Sequence, residues 1–222
     1  MPAFTIFLDQ WPWIAAYILI ALGAYMLIFG RQHFERVVKI LSACFLFAVL
    51  SCLLSINGYF EQKIEEGPSA VTVLIIFFIL LLGVVLGFSL GAAMPNKFSL
   101  VFICILDAAV LSMVIYSFLM SFTGTWVVLL VSTMIFSVIC TILPLKFSEQ
   151  MRIQSTAFLG AWMLTRGVSL MVGGYPNELQ TISWLHNGYV VPTSNFFFVY
   201  LVSIAVLYLI GQRTQRAQWA SQ

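Results

Sequence analysis

The stretch AVTVLIIFFILLLGVVLGFSLGAAM, Ala70–Met94, contains no charged side chain. It is longer than the roughly 20 apolar residues with which a helix crosses a bilayer. Six further apolar runs flank it, at Trp11–Gly30, Val37–Phe60, Phe98–Met120, Trp126–Leu145, Ile153–Val172 and Asn195–Gly211. Backbone polar groups in lipid must be satisfied within their own segment, so runs of this length are read as helices. Segments of about ten alternating residues, the mark of a membrane barrel, are missing. The expected fold is therefore all-α, a polytopic bundle of seven transmembrane helices arranged as three helical hairpins and a seventh helix.

Composition agrees. Of the 222 residues, 62% are hydrophobic and 8% charged, with a mean hydropathy of +1.04. That is too little polar surface for a water-soluble globule. Seven spans and their turns use nearly the whole chain, so residues 1–222 are expected to form one membrane domain ending in a short tail, 212–222. The tight turns Gly30–Phe34, Pro95–Ser99 and Pro144–Ser148 each place a basic residue before a Phe. Charge distribution predicts the orientation. Arg31, Arg36, Lys39, Lys97, Lys146, Arg152, Arg213 and Arg216 fall on one side of the membrane, against Lys63 on the other. The excess of Lys and Arg on the inner face places the N-terminus outside and the C-terminus inside. Met1–Gln10 lacks the positive start of a cleavable signal peptide, so the first helix is expected to act as its own insertion signal.

Little in the chain points to catalysis or cofactors. Cys44, Cys52, Cys104 and Cys140 lie within spans, where a free Cys behaves as a small apolar residue. Gly87–Gly91 reads Gly-x-Ser-x-Gly, but a nucleophile elbow needs a strand-to-helix turn and a His base. His33 and His186 belong to turns on opposite faces. No span holds a His for heme, and no phosphate loop or clustered metal ligands occur. The expectation is a non-enzyme with no cofactor and no metal.

Three features invite a role. Asp107 and Arg166 are charges inside apolar spans, where a partner or water is required. Counted from Lys97 and Arg152 at about 1.5 Å per residue, they lie roughly 15 and 21 Å deep. This is close enough to predict an ion pair, either structural or part of an ion pathway. Gly83, Gly87 and Gly91 form a small-residue stripe suited to close helix packing. The longest outer connection, Gly173–Ser194, carries Tyr175, Pro176, Glu178 and Trp184. Trp and Tyr favour interfacial depth, so this loop is the expected docking surface for a partner.

The segment Gly23–Arg36 resembles the first hairpin of the seven-span transmembrane protein 198-like family, where a Phe-Gly-x-Arg-x-Phe-like turn joins helices one and two. Here one residue between Gly30 and Arg31 is missing. Leu164–Ser169 and Gly173–Glu178 are similar to the Arg-Gly-x-Ser and Gly-x-Pro-x-Glu pattern of protist members. The resemblance implies an N-outside seven-helix protein without known enzymatic activity, in a plasma or endomembrane; an inner mitochondrial location stays open on the sequence. The leading expectation is association with lipid and other membrane subunits, as scaffold or accessory subunit of a larger complex, including an energy-transducing one. The alternative is a channel or transporter using Asp107 and Arg166. Nucleic acid is not an expected partner.

Overall fold

The computed structural model describes residues 12–56, 70–123, 126–175 and 196–220. Seven helices and no strand occur among them: α1 (Pro12–Phe29), α2 (Phe34–Ile56), α3 (Ala70–Ala93), α4 (Asn96–Thr123), α5 (Trp126–Lys146), α6 (Ser148–Val172) and α7 (Phe196–Ala220). Two of them, over Asn96–Tyr116 and Phe196–Ala220, are both long and apolar enough to cross a membrane. Shorter apolar runs occupy Trp13–Phe29, Phe78–Ala93 and Val131–Pro144.

Every predicted helix forms, and the largest boundary correction is at the end of the chain. Gly211 does not stop α7, and nine residues assigned to a tail continue the helix to Ala220. Buried Gln215 and back-bonded Thr214 hold this last stretch, with the Thr214 hydroxyl donating to the Ile210 carbonyl at 2.9 Å. α6 likewise starts earlier than its apolar run, at Ser148, with a mostly exposed polar first turn that precedes its first buried residue, Met151. It ends where Gly173 and Gly174 take φ of +82° and +81°, values that L side chains rarely adopt.

The helices gather into two compact units. The first contains α2 and α3. Here Gly87 lies against the α2 backbone, and a Cβ on it would sit 2.6 Å from the Ser42 carbonyl oxygen and 2.7 Å from the Ala43 Cα. A Cβ on Gly91 would likewise lie 2.8 Å from the Lys39 Cα. The glycine face is thus filled by a helix of the same chain.

The second unit contains α1, most of α4, and α5 to α7. α6 is its centre, packed most extensively on α7. It carries Glu149, Arg152 and Arg166, yet Ser155, Thr156, Ala157, Gly160, Ala161, Thr165, Gly167 and Ser169 are all buried. A helix shielded by its neighbours need not be uniformly apolar. The outer helices show the opposite arrangement. On α5, Val131, Met134, Ile135, Val138 and Ile142 are exposed, and on α7 so are Phe196, Val199, Val202, Val206 and Leu209. Large apolar stripes facing outward are unfavourable in water and suit lipid.

Small residues let α1 reach α6. A Cβ on Gly23 would lie 2.5 Å from the Leu164 nitrogen, and one on Gly160 would lie 2.7 Å from the Leu27 nitrogen. A Cβ on Gly167 would lie 2.8 Å from the Ala16 carbonyl oxygen. With little hydrophobic drive between helices in lipid, such close backbone approach supplies the van der Waals fit.

Candidate functional site

A cavity of about 390 Å³ lies within the second unit between α4, α5, α6 and α7. Leu111, Val114, Cys140, Met151, Phe158 and Ile204 make most of its wall apolar. Four polar side chains reach it, namely Asp107 from α4, Gln154 and Ser155 from α6, and Tyr208 from α7. Asp107 is 9% exposed, and its Oδ1 is buried with no hydrogen-bond partner. Its carboxyl lies beside the Ser155 hydroxyl. Ser155 is also 3.3 Å from Cys104 Sγ, one turn before Asp107 on α4. The Tyr208 hydroxyl accepts a 2.6 Å hydrogen bond from Gln212 Nε2, and its ring meets Phe158 edge to face. Gln212 thereby orients the one phenol in the cavity.

The predicted pairing of Asp107 with Arg166 does not occur. Asp107 is level with Ser155, which precedes Arg166 by roughly three helical turns, or about 16 Å at the usual rise. Residue counts along two separate helices do not fix where they meet: Asp107 faces α6 in its second turn, well before Arg166. Arg166 instead donates from Nη1 to Ser169 Oγ at 3.1 Å, and its guanidinium lies 4.9 Å from the centre of the Tyr175 ring. Tyr175 in turn packs edge to face on Phe197 and Tyr200. Nearby, the Tyr200 hydroxyl donates to the Gly173 carbonyl at 2.6 Å. Tyr175, expected to dock a partner, is therefore engaged within its own chain. Pro176, Glu178 and Trp184 lie outside the described residues.

This separation has a measurable consequence. In a double-mutant cycle of unfolding in detergent, Asp107→Asn and Arg166→Gln should be additive to within about 0.5 kcal/mol, as for distant sites without shared partners. A coupling energy well above ~1 kcal/mol would show that the two charges meet.

Chemically, the cavity offers one carboxyl group with an unused acceptor oxygen, surrounded by hydrocarbon and three neutral polar groups. Hard metal ions take about six oxygen ligands, more than this wall provides. Among the described residues no cluster of three or more metal-ligating side chains occurs. A single carboxylate in an apolar pocket better suits a proton or a small amine with an apolar body, whose positive end replaces lost hydration. Asp107 was legible in the sequence as an intramembrane charge, whereas Ser155, Gln154 and Tyr208 carried no signal that set them apart from other polar residues on apolar helices.

A family model described as TM7S3/TM198-like domain matches residues 16–216. No curated protein and no solved structure matches the chain. The match extends from the first helix into the last turns of the seventh and agrees with the resemblance seen in the Gly23–Arg36 turn.

Proposed function

The chain belongs to the TM7S3/TM198-like domain family of membrane proteins, and on that basis we propose that it is a non-enzymatic seven-span protein that binds a small organic cation, in exchange with a proton, at Asp107. The observation that carries this reading is the unpartnered Asp107 Oδ1 on a cavity bounded by four helices. An intramembrane carboxylate needs a counter-charge or water, and such residues commonly mark ion and substrate pathways. A pocket of this volume accepts a small organic molecule. Its apolar wall would hold a hydrocarbon body while Asp107 holds the ammonium group, with Ser155, Gln154 and Tyr208 available to share its remaining donors. N-outside, C-inside topology accompanies the proposal, supported by the basic residues on the turns before α2, α4 and α6. The alternative role as scaffold or accessory subunit has less support, because the glycine face that suggested it is covered by α2.

The test uses purified protein and butylamine as the probe. Butylamine should raise the thermal unfolding midpoint of wild-type protein saturably and leave Asp107→Asn unmoved. In proteoliposomes, an imposed pH gradient should drive uptake of labelled butylguanidinium, which unlike butylamine has no lipid-permeant free base at neutral pH, and the same substitution should abolish it. Neither stabilisation nor uptake by the wild type would remove the transport reading and return the protein to an association role.

A further inference from the structure

A second, polar hollow of about 480 Å³ occurs between the turn that follows α1 and the first two turns of α6. Arg31, Gln32, Glu149 and Arg152 line it. The two guanidinium groups are each laid on an aromatic ring. Arg31 lies 5.2 Å from the centre of Trp219, and Arg152 lies 5.0 Å from the centre of Phe34. Stacking fixes the plane of a guanidinium while leaving its donor edge available. Glu149 stands between them, 3.1 Å from Arg152 Nη1 and 3.6 Å from Arg31 Nε. The second of these is an ion pair too long for a hydrogen bond.

The cluster is incompletely satisfied. Arg31 Nε and Arg152 Nε are both buried and have no hydrogen-bond partner. Two positive charges face one carboxylate, so one remains uncompensated. Each guanidinium presents five N–H donors, far more than Glu149 can accept. The start of α6 adds to this, since Phe147 provides no side-chain cap and the helix N-terminus carries partial positive charge. Trp219 is 48% exposed at the rim. Trp at the end of an apolar helix marks headgroup depth.

We propose that this hollow binds a phosphate monoester, with the headgroup of an anionic phospholipid as the source its interfacial setting favours. Paired guanidinium donors match phosphate oxygens in a way that a point charge does not. Glu149 bridges the two arginines in the unliganded site and competes with the ligand for them. The site is separate from the Asp107 cavity and shares no residue with it.

The experiment measures thermal unfolding of the full chain in neutral detergent against dioctanoyl phosphatidic acid, dioctanoyl phosphatidylcholine and inorganic phosphate. Phosphatidic acid should stabilise the wild type saturably, and phosphatidylcholine should not. Arg31→Gln combined with Arg152→Gln should weaken phosphatidic acid by about tenfold or more, as expected on losing charge-assisted bonds. Glu149→Gln should tighten it severalfold by removing the competing carboxylate; this variant retains both arginines and serves where the double variant does not fold. Saturation by inorganic phosphate equal to that by phosphatidic acid would support the phosphate site and assign its source to free phosphate. Absence of binding by both, equal affinity in the double Gln variant, or no gain in Glu149→Gln would each overturn the proposal.

Discussion

Gly160→Leu is expected to abolish the folded second unit, and even Gly160→Ala to lower its stability by about 1–3 kcal/mol or more, the range for overpacking. The atoms that a new Cβ would meet decide this. They are the Leu27 nitrogen at 2.7 Å, the Gly23 carbonyl oxygen at 2.9 Å and the Leu27 Cα at 3.1 Å, all backbone. None can swing aside as a side chain can, so α1 must move as a whole. It would then lose its other contacts on α6, at Gly167 and Leu164. Gly83→Ala in the first unit is the informative contrast. Its new Cβ would press on Leu50 Cδ1, the far end of a flexible side chain, and should cost much less. Thermal unfolding of purified variants in detergent checks both. Gly160→Leu with a wild-type midpoint would mean that α1 and α6 are not in backbone contact.

The second large effect is expected at Gln215, which is fully buried near the end of α7. Its Nε2 donates to the carbonyl oxygens of Met26 and Leu27, each at 3.0 Å, in the last turn of α1. Its Oε1 is 2.9 Å from Thr156 Oγ1, whose proton is shared with the Arg152 carbonyl at 2.7 Å. One amide thus ties α7 to α1 and to α6, using donor and acceptor together. Gln215→Leu preserves most of the volume but strands buried carbonyls, at a cost of about 2–3 kcal/mol. Gln215→Glu should be worse at neutral pH, by about 3–5 kcal/mol, because it buries an uncompensated charge against two carbonyl oxygens. The order wild type, Leu, Glu in unfolding midpoint is the readout. A Glu variant as stable as wild type would contradict the bonding at this amide.

Gly160 and Gln215 also show where reading the chain stops being sufficient. The stripe Gly83–Gly87–Gly91 is visible as a motif because its members are four apart on one helix. Gly23 with Gly30, and Gly160 with Gly167, are seven apart on two helices, and each pair acquires meaning only when those helices face one another. Gln215 looked like part of a polar tail. Nothing in Gly-Gln-Arg-Thr-Gln-Arg distinguishes a solvated end from a helix whose one inward residue caps another helix's carbonyls.

Asp107 and Arg166 make the same point for the candidate site. That each charge sits within an apolar segment follows from composition, and so does its need for a partner. Which partner it has depends on how far α4 is displaced along α6, and hydropathy along one segment contains no information about displacement relative to another. The apolar runs, their helical state, the turns with their basic residues and the family were all determined by the sequence alone, because each depends on side chains near one another along the chain. Tertiary structure decided that the most polar of the long helices lies at the centre, that the glycine face is occupied by α2, and that Asp107 meets a cavity while Arg166 meets Tyr175. Those outcomes depend on which helices are neighbours and at what height. Contacts between surfaces distant in sequence set both, through the few positions small enough to let backbones touch.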